Sequence, residues 1–166
     1  MNITKKDKKN KVLVLRKEIL SKDNFSKSEK IKIIKKISNA DYIIFNTVLD
    51  EVDKNLLLFI RIAKMMKITT FGIFTTPFRF EGKLKHSLAT KNLTKLENAL
   101  DCLFLIDSDE VINIMTSRIS LENARKIVNE VKIRNINILK YFLNNNLNLF
   151  SIEQYLLFDS NKLNQI

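Results

Sequence analysis

Glycine is rare in this sequence. Only Gly72 and Gly82 occur in 166 residues, whereas a chain of this length usually contains about a dozen. Loops that hold phosphate through backbone N–H groups rely on glycine, because a side chain would block the close approach of backbone to ligand. The composition therefore disfavours any function that needs a glycine-rich phosphate loop. Pro77 is the only proline, and no proline- or glycine-rich linker divides the chain.

Cysteine and histidine are almost absent. Cys102 is the only cysteine, so no disulfide can form within the chain, and a cytoplasmic location is expected. Its apolar surroundings predict a core residue and not a nucleophile. His86 is the only histidine and is expected on an exposed helical face. With so few members available, no metal site and no Ser/His or Cys/His catalytic arrangement is predicted.

Long apolar runs are missing as well. No run reaches the length that spans a membrane, and the first residues, MNITKKDKKNK, lack the apolar core of a secretory signal. We therefore expect no membrane association. Apolar residues still make up 45% of the chain, which is enough for the core of one folded domain.

Positive charge is concentrated at the N-terminus. The net charge is +11, and residues 1–36 hold 13 Lys or Arg against 4 acids, a net of +9. Residues 1–10 are predicted to be a basic flexible tail. One functional hypothesis is therefore a nucleic-acid or anionic-surface binder acting through residues 1–36. Aromatic residues are not interleaved with these lysines, so nucleic acid is not the favoured partner, and A/T-rich codon usage explains many of the lysines.

Two apolar segments of strand length frame the centre of the chain. Ile68–Thr75 is a β-branched and aromatic run that ends before Pro77, and Cys102–Ile106 is a second such run. Between them, leucines recur at near-helical spacing, at Leu84, Leu88, Leu96 and Leu100. Wholly apolar strands joined by a helix are typical of a parallel sheet buried on both faces. Two further strands are predicted at Lys11–Leu15 and Tyr42–Thr47.

Capping signals place the other helices. Ser26 and Glu29 have the spacing of a capping box for a helix that ends near Asn39. Asp50 is expected to cap a helix over residues 50–67, and Ser120 to cap a long helix over residues 121–144. Shorter helices are predicted at Ser108–Met115 and after a second capping box, Ser151–Gln154.

The segment Ile68–Asp109 resembles a known family. Its sequence contains PFRFEG, Pro77 to Gly82, followed without a gap by a helix, an aspartate and an apolar strand. The bacterial tubulin homologue FtsZ has the same motif and the same later spacings. The later matching positions are Ala89, Leu96, Asp101, Leu103, Ile106 and Asp109.

The resemblance implies an α/β fold. We expect a three-layer, Rossmann-like parallel sheet of about four strands flanked by helices, with a long central-type helix at 121–144. Residues 11–166 are expected to form a single truncated FtsZ-like nucleotide-binding-type domain. The usual first strand of FtsZ has no counterpart, and an open apolar edge promotes aggregation. Lys11–Leu15 is therefore predicted to pair in parallel with Tyr42–Thr47, followed by Ile68–Thr75 and then Cys102–Ile106.

The resemblance also implies nucleotide-binding residues. Glu81 matches a glutamate that contacts the ribose, Lys85 stands for an arginine, and Asn129 matches a guanine-contacting residue of the long helix. Arg125 replaces the phenylalanine that stacks on the base. If this chain has a cofactor at all, the resemblance implies GTP.

Two loops depart from the family pattern. The glycine-rich phosphate loop is replaced by residues 48–53, which hold the three carboxylates Asp50, Glu51 and Asp53 and would repel phosphate. The loop that supplies catalytic carboxylates corresponds to residues 144–154, where Glu153 is the only acid. Glu153 is thus the only catalytic candidate, and it is better explained as a first-turn residue of the capped helix.

These observations predict a degenerate FtsZ-like cell-division protein, of the septum or Z-ring and the tubulin superfamily, with GTP binding and hydrolysis weak or lost. An enzyme is not expected, no cofactor is expected, and FtsZ or a second copy of the chain is the expected partner. A first alternative is an FtsZ-type GTPase that keeps residual GTP binding through Glu81, Lys85 and Asn129. The second alternative is the basic binder acting through residues 1–36.

Overall fold

Four parallel strands form one sheet. The computed structural model describes residues 10–16, 25–113 and 119–149, and the strands are β1 (Val12–Arg16), β2 (Tyr42–Val48), β3 (Thr69–Thr75) and β4 (Cys102–Ile106). Their order across the sheet is β1-β2-β3-β4, and every neighbouring pair is parallel. The predicted pairing of Lys11–Leu15 with Tyr42–Thr47 is confirmed.

Helices connect and cover these strands. The described helices are α1 (Lys27–Ser38), α2 (Lys54–Met65), α3 (Lys83–Glu97), α4 (Ser108–Asn113) and α5 (Leu121–Asn144). The capping box at the start of α1 is present, because Ser26 accepts from the backbone N–H of Glu29 and the Glu29 side chain accepts from Ser26. Ser120 caps α5 as predicted, accepting from the N–H of Asn123 at 3.3 Å.

The predicted start of α2 is wrong by one turn. Leu49–Glu51 forms a separate 3₁₀ turn, and Val52 is extended. Asp53 is the N-cap, and its Oδ1 accepts from the N–H of Leu56 at 2.8 Å. An extended Val52 breaks the hydrogen-bond ladder, so Asp50 lies before the helix and cannot cap it.

The sheet separates two apolar layers. One contains Ile43 and Phe45 of β2 packed with residues of α1, α2 and α3. The other contains Ile44 of β2, Phe71 and Ile73 of β3 and residues of α4 and α5. Successive residues of β2 thus enter opposite layers, as the period of a strand requires. The expected three-layer α/β fold with a four-stranded parallel sheet is confirmed.

Some leucines of the helices are exposed. Leu84 and Leu88 of α3, which recur at near-helical spacing, and Leu121 of α5 face outward. In α3 the inward face is instead formed by Ala89, Asn92 and Leu96. Asn92 is buried because its amide donates to the carbonyl of Leu49 at 2.8 Å. The spacing of the leucines located the helix, but it did not identify the face that packs on the core.

Several predictions lie outside the described residues. They are the basic tail at residues 1–9, the end of the helix predicted at Ser108–Met115, the capping box Ser151–Gln154 and Glu153. Among the described helices, none combines the length and the apolar character needed to cross a membrane.

Candidate functional site

A cavity lies at the carboxyl ends of the strands. It has a volume of about 460 Å³ and is bounded on one side by the ends of β1, β2 and β3 and on the other by α5. Open parallel sheets bind ligands at this edge, because the loops that leave the strands surround it. The lining includes Arg16, Asn46, Val48, Glu51, Thr75, Thr76, Phe78, Glu81, Lys85, Ser108, Arg125, Val128, Asn129, Lys132 and Ile133.

All three predicted nucleotide-binding residues line this cavity. Glu81 ends a 3₁₀ turn, Arg79–Glu81, that follows β3. Lys85 is in the first turn of α3, and its ammonium lies 2.8 Å from Glu81 Oε2. Asn129 enters from α5 on the opposite wall. The tertiary structure therefore brings together residues that are up to 48 positions apart in the sequence.

A chain of ion pairs crosses one wall of the cavity. Arg125 of α5 donates from Nη2 to Glu81 Oε1 at 2.9 Å, while Lys85 bonds the other oxygen of the same carboxylate. Lys85 also lies 3.4 Å from Asp50 Oδ2. The Glu81–Lys85 pair joins residues four positions apart. The sequence gave no signal for Arg125 or Asp50 as partners, because both contacts are long-range.

These contacts shift two pKa values. Burial alone would raise the pKa of the Glu81 carboxyl, but the hydrogen bonds and charges of Lys85 and Arg125 outweigh it and hold that pKa below its usual value. The hydrogen bond to Glu81 raises the pKa of the Lys85 ammonium, and the charges of Asp50 and Glu81 act in the same direction. Both groups are therefore charged at neutral pH.

The connection after β2 brings carboxylates to this edge. The Asp50 side chain is only 6% exposed, and its Oδ1 finds no hydrogen-bond partner within the described residues. Glu51 lines the cavity, and the Asp53 side chain caps the N-terminus of α2. The three acids predicted at the phosphate-loop position are thus present but serve different contacts.

The loops after β3 and β4 hold each other in place. Ser108 donates its hydroxyl to the carbonyl of Thr76 at 2.6 Å, and its N–H donates to Thr76 Oγ1 at 3.0 Å. The N–H of Arg79 donates to Asp109 Oδ2 at 3.1 Å. These bonds fix the PFRFEG loop that carries Glu81.

His86 is half-buried, so the expectation of an exposed position is wrong. Its Nε2 lies 3.0 Å from the carbonyl oxygen of Phe78, which ties α3 to the PFRFEG loop. Within the described ranges, no cluster of three or more His, Cys, Asp or Glu could hold a metal ion.

Comparison with known proteins identifies the family relation. The chain is 35% identical over 74 residues to the cell division protein FtsZ of Coxiella burnetii, and 36% identical over 69 residues to that of Aquifex aeolicus. The chain is a partial homologue of FtsZ. The Coxiella match covers 45% of this chain and 19% of the relative, so the matched part is about a fifth of the FtsZ length. No protein-family model matches the chain.

Solved structures agree on the fold. An empty FtsZ dimer from M. jannaschii superposes with a TM-score of 0.63 over 70% of this chain and 35% of the FtsZ chain, at 24% identity. The four-stranded parallel sheet with its flanking helices therefore has the fold of the matching part of FtsZ. The mitochondrial division protein fszA of Dictyostelium discoideum is also similar, with 35% identity over 74 residues.

Proposed function

We propose that this chain is a degenerate FtsZ-like protein of cell division in which GTP binding and hydrolysis are weak or lost. One observation carries this proposal: the connection that leaves β2 contains no glycine and brings Asp50 and Glu51 to the edge of the sheet where a phosphate loop would be needed. Glu51 lines the cavity, so its carboxylate faces any bound phosphate with a charge of the same sign.

The energetic consequence is large. A phosphate loop supplies several backbone N–H bonds to charged oxygens, each worth about 1.5–3 kcal/mol. Losing three of them corresponds to roughly three to six decades of affinity. Two of the cations that line the cavity are already engaged, because Lys85 is shared between Glu81 and Asp50 and Arg125 is paired with Glu81.

The ribose position is also compromised. Both oxygens of Glu81 accept charged hydrogen bonds, one from Arg125 and one from Lys85. A sugar hydroxyl would have to compete with these ionic bonds, which are about twice as strong as neutral ones.

Calorimetry with GTP tests the proposal directly. We expect no heat that fits a micromolar dissociation constant and no release of phosphate, with an active FtsZ measured under the same conditions as the positive control. A micromolar dissociation constant for GTP, or turnover above that of buffer, would refute the proposal.

A second candidate is residual GTP binding, which the shared cavity of Glu81, Lys85 and Asn129 favours. An NMR titration with millimolar GTP distinguishes residual GTP binding from a complete loss of binding. Residual binding predicts that Asn129→Ala weakens the spectral changes and that Asn137→Ala does not. Asn137 is a matched control because it is exposed on the same helix and lines a different surface.

The partner in this proposal is an active FtsZ, with this chain acting as a filament cap. Head-to-tail filaments need two different faces on each subunit. The PFRFEG loop and α3 are retained, whereas the phosphate-binding loop and the aspartates of the catalytic loop at residues 144–154 are lost. We therefore expect this chain to join the end of a filament without supporting the next addition. Co-assembly with the FtsZ of the source organism should shorten filaments and lower GTP turnover. Unchanged length and turnover at equimolar protein would exclude capping while leaving the calorimetric result intact.

A further inference from the structure

A row of large apolar side chains is exposed beside the cavity. Phe80 is 60% exposed, Leu84 is 84% exposed and Leu88 is 43% exposed. They follow one another at intervals of four residues, so Leu84 and Leu88 lie on one face of α3 and Phe80 precedes them in the adjoining 3₁₀ turn. Single exposed apolar residues are ordinary, but a contiguous row suggests an interaction surface.

The row has a rigid support. The ring of Phe80 stacks on that of Phe78, with centroids 5.0 Å apart and an interplanar angle of 12°. Phe78 is buried in the apolar layer between the sheet and α5, and its carbonyl is held by His86. A ligand would therefore meet an aromatic ring that is already ordered, which lowers the entropy cost of binding.

Positively charged side chains extend the apolar row along the same face of α3. Lys91 and Lys95 follow Leu84 and Leu88 at helical spacing, and both are exposed. Arg79 and Lys83 are exposed at the other end of the row. Glu97 is the only acid in α3, and Asp109, 3.8 Å from Arg79 Nε, is the acid that the structure pairs with that end. We call Phe80, Leu84, Leu88, Lys91 and Lys95 the α3 strip.

We propose that the α3 strip docks an acidic amphipathic segment of a partner protein. Apolar side chains of that segment would cover Phe80, Leu84 and Leu88, and its carboxylates would face Lys91 and Lys95. From Leu84 to Lys95 the strip is about 16 Å long at 1.5 Å per residue, which matches about three turns of a helix. The proposed function assigns the same loop and helix to contact with FtsZ. This inference goes beyond it by giving that surface a partner segment of stated chemistry, and it does not depend on the state of the nucleotide cavity.

Charge and shape favour this occupant over two others. In a two-fold symmetric dimer of the chain, Lys91 and Lys95 would meet the same basic surface and be repelled. A lipid surface would need a broad apolar face, whereas the opposite side of α3 is packed on the core through Ala89, Asn92 and Leu96. Only a narrow row is available, which suits one elongated segment.

Fluorescence anisotropy with a labelled synthetic peptide tests the proposal. The peptide carries leucine at i, i+3, i+4 and i+7 and glutamate at the other positions. We expect binding that weakens with salt and that Leu84→Glu reduces at least about tenfold. Met65→Glu is the matched control, because Met65 is 83% exposed on α2, away from the strip, and should leave binding unchanged.

A charge-reversed pair makes the test independent of folding. The double variant Lys91→Glu, Lys95→Glu should no longer bind the glutamate peptide. It should instead bind a peptide in which lysine replaces every glutamate. The proposal is overturned if the glutamate peptide does not bind at millimolar concentration, or if Leu84→Glu and Met65→Glu behave alike. It is equally overturned if the strip instead mediates self-association, or binding to phosphatidylserine vesicles, that Leu84→Glu removes.

Discussion

Asp101 joins three elements through one side chain. Its Oδ2 accepts from both the N–H and the hydroxyl of Thr70 at 2.8 Å, and its Oδ1 pairs with the ammonium of Lys64. Burial alone would raise the pKa of Asp101, but the bonds to Lys64 and Thr70 outweigh it and hold that pKa below its usual value. The start of β4 is thereby fixed against β3 and the end of α2.

Replacing Asp101 by alanine should lower the free energy of unfolding by about 1–3 kcal/mol, because the N–H and the hydroxyl of Thr70 would lose their shared acceptor and Lys64 its ionic partner. Glu97→Ala is the control, since Glu97 is an exposed acid four residues earlier and should change stability by less than about 0.5 kcal/mol. Urea unfolding measures both. Equal midpoints for the two variants would show that the Asp101 contacts contribute nothing.

At the level of single elements, β3 depends on a glycine. A Cβ built on Gly72 would lie 2.3 Å from Phe74 Cε2 and 2.6 Å from Leu100 Cδ1, both far inside contact distance. Gly72 has no unusual backbone conformation, so the requirement is space. Gly82 is the opposite case, because its φ of 98° suits glycine while nothing lies within 4 Å of the added atom.

Gly72→Ala should therefore destabilise the protein by about 1–3 kcal/mol through overpacking. Adding Leu100→Ala removes one of the two clashing side chains, so the double variant should be more stable than the sum of the two single effects predicts. Urea unfolding of the unsubstituted protein, the two single variants and the double variant gives the double-mutant cycle. Strict additivity would mean that Leu100 does not restrict this position.

At the scale of the whole molecule, two carboxylates link distant elements. Glu81 connects the PFRFEG loop with α3 and α5, and Asp101 connects β4 with β3 and α2. Both have pKa values held below their usual range. On acidification the unfolded chain binds these protons first, so the stability that the two groups contribute is present above their unfolded pKa values and is lost as pH falls through the lower folded ones.

We expect the urea midpoint to fall below about pH 4.3, where the unfolded carboxyls begin to protonate. The double variant Glu81→Gln, Asp101→Asn lacks both carboxylates, so it should not lose their contribution to stability on acidification. A plot of its urea midpoint against pH should therefore be flatter between pH 5 and 3 than that of the unsubstituted protein. Two curves that run parallel throughout that interval would show that neither ion pair contributes to the pH dependence.

The sequence by itself determined the elements and their order. Apolar strands, caps such as Ser26 and Ser120, and the PFRFEG motif are local signals, so they predicted the parallel α/β fold, the length of α5 and the relation to FtsZ. The resemblance to FtsZ also named Glu81, Lys85 and Asn129 as nucleotide-binding residues. The structure brings these three to one cavity, and their role in nucleotide binding stays a prediction. The predictions of the fold succeeded because each depends on neighbours within a few positions along the chain.

Only the tertiary structure decided which faces pack and which charges meet. The buried face of α3 includes Asn92, which bonds Leu49, 43 residues away, whereas Leu84 and Leu88 are exposed. Arg125 meets Glu81 across 44 residues, so the residue predicted to contact the ribose also forms an ion pair within the protein. Such contacts depend on how elements are arranged in space, and helical spacing is the same whichever face of a helix is turned toward the sheet.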